Sequence, residues 1–576
     1  MNGVTQGSSV LLAEVFACDY RPDQSATYVR VYNPGPQPVN LAGYALEWDG
    51  IALAFPTGPD LSAGDSAYVA WNAGPFQQDI ARLPDYTVQP FSGVPAMVAT
   101  GAPQAFNSAG GTVRILAPNG AAADVLVWGN AAAPSGWTGN AVQTGQAGIV
   151  FRRAIDENTL GPDSPGRFKT DPASAAAWHQ GTDWISRRIM RLGQGAETYP
   201  SFQVQSSLLF VCPDSSFATI AGFIDAAQTK LDLNLYLFTQ DALAGKIEAA
   251  LQRKVAVRLL LEGEPVMGMP AGEREMAKRL QAAGVQVQCL KRATNGFERY
   301  HFDHAKYAVA DGQRCLVMSD NWTHGSVPVT AVTGERGWGA IFESTPMAEH
   351  LTAVFNFDWN PASPDSVGLD QVSPAAAEAD EVQRISPRPI ANPTQPQRID
   401  TPMTVTPVLA PEHSLLEFRG IPGLMRSAVK TLDVEQPTIP LYWTGAGPDS
   451  PETTPNLLLT ELVAAARRGI QVRVVLGGSY LNPQDPKDNT HTRDWLTTIA
   501  RSEKLAIEAR ILDYAATGMG VHNKGLIVDG RQVLISSVNW TENSSLYDRE
   551  LALIVESEAV AAYYGSLFGQ DWDNGE

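Results

Sequence analysis

The stretch His304–Ala305–Lys306–Tyr307–Ala308–Val309–Ala310–Asp311 returns later in the chain as His522–Asn523–Lys524–Gly525–Leu526–Ile527–Val528–Asp529, so both copies read His-x-Lys-x4-Asp. An asparagine follows each histidine after 17 positions, Asn321 in the first copy and Asn539 in the second. Residues i and i+2 of a strand point to the same face, which places each imidazole beside an ammonium group. Two copies with one asparagine offset indicate a single site built from two halves.

These residue types suit chemistry at a phosphodiester. Its non-bridging oxygens favour lysine and amide donors. In-line displacement also needs a nucleophile and a proton donor on opposite sides of phosphorus. One half supplies one histidine, and two halves facing each other supply both. The pattern therefore predicts a phosphodiester-bond enzyme.

The sequence around the two motifs repeats as well. In each half a helical pattern leads into an apolar strand, first in Leu243–Gln252 and Lys254–Gly263, then in Leu457–Arg468 and Gly469–Gly478. Each half also ends in an Asp-Trp dipeptide, at Asp358 and at Asp571. Helix followed by strand, twice over, predicts an α/β fold made of repeated halves.

The paired motifs with their asparagines resemble the phospholipase D superfamily over about residues 205–576. The resemblance implies a bilobal α/β/α fold with the site at the seam, and a reaction through a covalent phosphohistidine without metal or other cofactor. It implies that His304 and His522 act as nucleophile and general acid/base, with His304 favoured as the nucleophile. It assigns the phosphate to Lys306, Lys524, Asn321 and Asn539, and favours structural roles for Asp311 and Asp529.

A histidine nucleophile needs an acceptor, usually a carboxylate, on its far nitrogen. Glu550, 11 residues past Asn539, suits that role in the second half. Aligning Arg336 with Arg549 places Gly337 where Glu550 stands, so the first half lacks this carboxylate. Glu335 and Glu262 are the remaining candidates for the first histidine, with a structural role as the favoured alternative for both.

Composition bears on the substrate. The net charge of −19 opposes non-specific binding to nucleic-acid phosphates. No stretch approaches the roughly 20 apolar residues of a membrane-spanning helix. We therefore predict a hydrolase that releases phospholipid head groups, or transfers them to alcohols, through peripheral membrane contact. A metal-independent nuclease acting on DNA or RNA and a catalytically idle binding scaffold remain the alternatives.

Residues 1–153 predict an all-β domain, because short apolar runs alternate with turn residues. The segments Tyr28–Asn33 and Asn40–Tyr44 resemble a lamin-tail domain, an immunoglobulin-like sandwich, which implies a binding or spacer module. Stretches rich in Pro, Gly and Ser predict linkers at 154–204 and 361–405, which leaves halves at 205–360 and 406–576. The basic cluster Ser186–Arg191 is interpreted as a solvated part of the first linker.

The remaining signals concern compartment and assembly. The four cysteines have neither zinc-ligand spacing nor disulfide density. The first residues lack the charged and apolar regions of a signal peptide, so either the protein is cytoplasmic or a targeting segment was removed before this numbering begins. The lamin-tail resemblance instead favours secretion. Because one chain carries both halves, we predict a monomer.

Overall fold

A computed structural model describes residues 10–142, 147–170, 183–188, 197–375, 386–443, 454–479 and 481–576. The chain divides into two compact units. The first comprises the described residues of Met1–Leu192 together with Ala293–Arg299. The second comprises the described residues of Gly193–Arg292, Tyr300–Thr444 and Asp449–Glu576.

The first unit is rich in β-structure, as predicted, and its immunoglobulin-like character stays a prediction. Its elements are β1 (Leu11–Cys18), β2 (Tyr28–Tyr32), β3 (Ala45–Trp48), β4 (Ile51–Ala54), β5 (Ser66–Ala70), α1 (Ala73–Ile80), β6 (Tyr86–Thr87), β7 (Val98–Ala99), β8 (Gly110–Leu116), β9 (Ala122–Gly129), β10 (Ile149–Arg153), β11 (Ile155–Gly161), β12 (Ser164–Phe168) and β13 (Trp184–Arg188). One sheet has the order β13-β10-β1-β2-β5-β6, another has the order β7-β4-β3-β8-β9, and β11 pairs with β12.

A buried ion pair joins these two larger sheets. Asp124 of β9 pairs with Arg153 of β10 at 2.5 Å. The same carboxylate accepts the backbone N–H of Leu12 at 2.7 Å. Because both charged groups are buried, each needs the other as a partner to offset the cost of losing contact with water. The pair therefore fixes how the two sheets meet.

Residues 154–204, predicted as a linker, contain strands of this unit. The hairpin of β11 and β12 is rich in Asp, Gly, Ser and Pro, which makes its sequence look like a loop. Arg187 and Arg188 lie on β13 and are buried, and Arg188 forms a 2.8 Å ion pair with Glu298. The prediction that Ser186–Arg191 is a solvated linker segment is therefore wrong for its described residues, 186–188. Residues 189–191 and the stretch 171–182 lie outside the described residues.

The second unit contains two sets of strands and helices. Its first set is β14 (Phe202–Val204), β15 (Ser207–Cys212), α2 (Ser216–Asp225), β16 (Lys230–Leu235), α3 (Asp241–Gln252), β17 (Ala256–Glu262), α4 (Ala271–Ala283), β18 (Gln286–Leu290), β19 (Tyr307–Ala310), β20 (Arg314–Met318), β21 (Glu335–Glu343), α5 (Thr345–Trp359), β22 (Ser366–Val367) and β23 (Gln397–Ile399). Its second set is β24 (Met403–Ala410), α6 (Ile421–Arg426), β25 (Thr431–Gln436), α7 (Leu457–Arg467), β26 (Gln471–Gly477), α8 (Asn489–Glu503), β27 (Ile507–Leu512), α9 (Tyr514–Thr517), β28 (Gly520–Val521), β29 (Gly525–Val528), β30 (Gln532–Ser536), α10 (Glu542–Leu546), β31 (Glu550–Glu556) and α11 (Glu558–Asp573).

The two sets share one topology. The first sheet runs β18-β17-β16-β19-β20-β21-β15, and the second runs β27-β26-β25-β29-β30-β31-β24. In each, the first three strands are parallel and the rest antiparallel. The parallel strands are buried along most of their length, as expected where helices cover a parallel sheet on both faces. The predicted repeated α/β architecture is confirmed.

The proline-rich stretch 361–405, predicted as a linker, also contributes strands. β22 pairs with β18, and β23 pairs with β15. Residues 376–385 lie outside the described residues. The domain boundaries proposed from sequence remain predictions. Among the helices that the structure describes, none combines the length and apolar content required to span a membrane.

The Asp-Trp dipeptides end the last helix of each half and reach across to the other half. Arg549 donates from Nε to Asp358 at 2.9 Å, and Arg336 donates from Nε to Asp571 at 2.9 Å. A second carboxylate completes each cluster, Glu412 beside Arg549 and Asp214 beside Arg336. We call these two groups the arginine clasps. They hold the halves of the second unit together.

Candidate active site

The two motif histidines lie at the seam between the halves. The backbone N–H of His304 donates to the carbonyl of Arg549 at 2.9 Å. The N–H of His522 donates to the carbonyl of Arg336 at the same distance. The backbone of each histidine is therefore held by an arginine of the other half. Arg336 lies on β21, and Arg549 directly precedes β31.

Glu550 pairs with His304. Its Oε1 lies 2.8 Å from Nδ1 of His304 and also accepts a hydrogen bond from the Ser544 hydroxyl. Its sequence position predicts that Glu550 serves His522, the histidine of its own half. The structure shows instead that it pairs with His304 of the other half. The backbone of His304 is hydrogen-bonded to the carbonyl of Arg549 in the other half. Glu550 directly follows Arg549, so its side chain reaches the His304 ring.

Asp320 takes the equivalent place beside His522. Its Oδ1 lies 3.2 Å from Nδ1 of His522, a close contact without the alignment of a hydrogen bond. Asp320 is fully buried and directly precedes Asn321. Sequence reasoning missed this residue, because the second half has Val538 at the matching position.

The two other candidate carboxylates have different positions. Glu262 is buried and accepts the backbone N–H groups of Asp303 and Glu264, both at 2.6 Å, so it fixes the chain before the motif rather than the His304 ring. Burial raises the pKa of Glu262 well above its ordinary value. Glu335 begins β21 and lines a cavity together with His522. Nδ1 of His304 has Glu550 as its carboxylate partner.

The two motif lysines are buried beside the histidines. Nζ of Lys524 donates to the carbonyl of His522 at 2.5 Å, and Nζ of Lys306 donates to that of His304. Burial lowers the pKa of Lys306 well below its ordinary value, with Glu550 opposing the shift. Burial lowers the pKa of Lys524 to about 8, with Asp320 and Glu550 opposing. The site thus holds two poorly solvated lysine side chains, and an anion bound between them would favour their charged form.

Both imidazoles are neutral in this environment. Burial, then the charges of Lys306 and Lys524, lower the pKa of His304 well below its ordinary value. Burial and Lys524 lower the pKa of His522 to about 4, although Asp320 raises it. The pKa of Asp320 is lowered: burial opposes this, but His522 and Lys524 outweigh burial. Burial raises the pKa of Glu550 well above its ordinary value, and the nearby charge of Lys306 opposes this shift.

The motif aspartates are distant from this chemistry. Asp311 accepts the backbone N–H groups of Thr229 and Lys230, at 2.7 and 3.1 Å. Asp529 accepts those of Lys430 and Thr431, at 2.7 and 2.8 Å. Each carboxylate thereby ties the end of its motif strand to the start of the neighbouring antiparallel strand, β16 in the first half and β25 in the second.

Tyr236 also lines the site beside His304 and Lys306, and no sequence motif predicts this position. Its ring centroid lies 4.6 Å from that of His304, edge to face, and Nζ of Lys306 lies 4.9 Å from the same ring. Its hydroxyl accepts the backbone N–H of Val266 at 2.8 Å. Tyr236 directly follows β16, whereas Pro437 follows β25, so the two halves wall the site differently.

A cavity of about 450 Å³ opens beside His522. Asn321 lines it and is 9% exposed, and none of the described residues hydrogen-bonds to its Oδ1. The lining is mostly polar and includes Glu335, Lys487 and Asp488. Asn539 is half-buried, and its backbone N–H donates to the Ser544 hydroxyl at 2.9 Å. Within the described part of the chain, no three His, Cys, Asp or Glu side chains gather as metal ligands would.

Fold and site define a phospholipase D-like protein with two repeated halves. A family model described as "Cardiolipin synthase, PLD-like domain" matches residues 220–359 and 423–572, one segment in each half. Together the segments make up half of the 576 residues. The chain belongs to this family of PLD-like domains.

Three solved structures are similar to this chain. Phosphatidylserine synthase of Haemophilus influenzae shares 15% identity at a TM-score of 0.46, over 65% of this chain and 87% of that chain. Polyphosphate kinase of Porphyromonas gingivalis shares 13% identity at a TM-score of 0.37, over 63% of this chain and 50% of that chain. Nuc of Salmonella typhimurium, a phospholipase D family member, shares 16% identity at a TM-score of 0.24, over 28% of this chain and 97% of that chain. Comparison with curated proteins gives no match.

Proposed function

We propose that the chain is a metal-independent phosphodiesterase that hydrolyses phospholipid head groups through a covalent phosphohistidine. The observation that carries the proposal is the meeting of two histidine–lysine pairs at one seam, each histidine with a carboxylate at Nδ1. Lys306, Lys524, Asn321 and Asn539 bind the non-bridging oxygens. Asp311 and Asp529 have structural roles.

In the first step Nε2 of His304 attacks phosphorus. The bond from phosphorus to the head-group oxygen breaks, and His522 gives that oxygen a proton. The charge of a bound phosphodiester raises the pKa of His522 from about 4 towards neutral, which lets the ring carry this proton. The phosphatidyl group then remains on His304.

In the second step water attacks the phosphohistidine. His522 accepts a proton from the water, the phosphorus–nitrogen bond breaks, and phosphatidate leaves. An alcohol in place of water would receive the phosphatidyl group instead. The same two histidines thus support hydrolysis and transfer.

The cavity beside His522 supports a head group rather than a nucleotide. Among the described residues that line it there is no arginine and no aromatic side chain. Stacking on aromatic rings and a basic track are what single strands of nucleic acid require. The lining carboxylates, Glu335, Asp485 and Asp488, outnumber the one lysine, Lys487, and would repel a polyanion.

An apolar turn supports peripheral contact with a lipid surface. Val266 and Met267 are 65% and 71% exposed. The backbone of Val266 is bonded to Tyr236, which packs on His304. Exposed apolar side chains this close to the site suit an enzyme that takes its substrate from a bilayer surface. A lamin-tail role for the first unit as a spacer, a monomeric state and a secreted location belong to the same proposal.

Head-group release from liposomes of phosphatidylcholine and phosphatidylglycerol tests this function against cleavage of plasmid and single-stranded DNA. We expect lipid turnover that EDTA leaves unchanged. His304→Ala and His522→Ala should each lower it at least about 10³-fold, since each removes one reacting group. His324→Ala, at an exposed histidine outside the motifs, is the matched control.

Other outcomes would assign a different function. Cleavage of DNA alone would identify a nuclease, and no turnover of any phosphodiester would identify a binding scaffold. Full inhibition by EDTA would establish a metal mechanism.

A further inference from the structure

The space next to Gly337 is already occupied. A Cβ atom built on Gly337 would lie 1.3 Å from Oδ2 of Asp320 and 2.6 Å from Oγ of Ser319. No side chain fits there unless the Asp320 carboxylate leaves. Gly337 is the residue that aligns with Glu550, so the first half has a carboxylate in the same region, delivered from another position.

The surroundings of the two carboxylates match between the halves. Ser319 and Ser537 stand two residues before their asparagines, and each accepts a backbone N–H of the neighbouring strand, from Trp338 and from Leu551, both at 3.0 Å. A second serine lies five residues past each asparagine. Ser544 donates to Glu550, and in the first half the Ser319 hydroxyl donates to Oδ2 of Asp320 at 2.9 Å.

We infer that Asp320 is the positioning residue for His522, and that the first half has moved its orienting carboxylate from the position of Gly337 to that of Asp320. The role rests on the proposed phosphodiesterase function. The Asp320 carboxylate, 3.2 Å from Nδ1 of His522, favours the tautomer with its proton on Nδ1 and leaves Nε2 facing the reacting atoms. Nε2 takes up a proton when the phosphodiester binds, gives it to the head-group oxygen, and later accepts one from water. The second half does the same for His304 from Glu550.

The crossing of these pairs follows from the seam. The Asp320 carboxylate belongs to the first half and serves the second motif, while Glu550 belongs to the second half and serves the first. Because each histidine backbone is bonded to the arginine carbonyl of the other half, neither half completes a histidine–carboxylate pair alone.

Relocating the carboxylate tests the inference. Asp320→Asn and Asp320→Val should each lower kcat about 10- to 100-fold, a typical cost of losing an orienting partner, with little change in KM. Asp320→Val combined with Gly337→Glu copies the second half, which has Val538 and Glu550. The double variant should recover most of the lost kcat.

A measurement independent of turnover accompanies these variants. In protein labelled with ¹⁵N-histidine, the His522 signals are assigned by their loss in His522→Gln. At pH 7 we expect a protonated Nδ1 in the wild type and in the double variant, and a changed tautomer in Asp320→Asn.

The outcomes separate the two proposals. Unchanged kcat and tautomer in both single variants, or no recovery in a folded double variant, would overturn the role of Asp320. A wild type without turnover would overturn the proposed function, and the tautomer would still decide whether Asp320 orients His522.

Discussion

Lys524 is an ammonium group that burial makes unusually easy to deprotonate. Its pKa is lowered to about 8. If this charge binds the phosphate, activity requires the protonated form, which is lost as pH rises through about 8. We expect kcat/KM to fall along an alkaline limb with an apparent pKa near 8, measured by head-group release between pH 6 and 10.

Lys524→Arg provides the control for this limb. Arginine keeps its charge throughout the range, so the part of the limb that Lys524 causes should disappear, even though the altered geometry lowers the maximal rate. A wild-type profile that stays flat to pH 10 would show that Lys524 does not carry an essential charge.

At the scale of residues, the sequence predicted the members of the site that repeat. His304, Lys306 and Asn321 have counterparts at equal spacing; the structure places both histidine–lysine pairs at the seam and Asn321 beside His522, while the role of Asn539 stays a prediction. Asp320 has no repeated counterpart, and nothing in the spacing marks it. The pairing of Glu550 with His304 depends on how two distant strands meet, which local sequence does not encode.

Between elements, the arginine clasps join the last helix of each half to the strand of the other. Replacing Asp571 by Asn leaves Arg336 buried with only part of its compensation. We expect this to destabilise the second unit by about 3 kcal/mol, because removing one partner strands a buried charge. The midpoint of urea denaturation, followed by tryptophan fluorescence, measures the change.

Asp573→Asn is the matched control on the same helix. Asp573 is exposed, and its substitution should alter stability by less than about 0.5 kcal/mol. Equal midpoints for the two variants would show that the clasp contributes little to holding the halves together.

Elements were predicted unevenly from sequence. The repeated helices and strands of the second unit follow from strong apolar patterns. The strands β11 and β12 were not predicted, because turn-forming residues dominate their sequence. They are recognisable as strands only from their pairing with each other. The strands β22 and β23 were hidden in a proline-rich stretch and exist only as edges of a sheet.

For the whole molecule, a single chain should contain one complete site. Mixing His304→Ala and His522→Ala proteins in equal amounts therefore should not restore turnover above about 1% of the wild type, since a monomer cannot combine the intact histidine of one chain with that of another. Head-group release after mixing, and after co-expression, checks this. Recovery of roughly a quarter of the activity would indicate exchange of halves between chains.

The backbone bonds from His304 to Arg549 and from His522 to Arg336 join parts of the same polypeptide. Assembly of such a site is unimolecular, and its yield does not depend on how many molecules share a given volume. Turnover per milligram should therefore stay constant on dilution to nanomolar levels, a regime in which two separate half-sized subunits would drift apart.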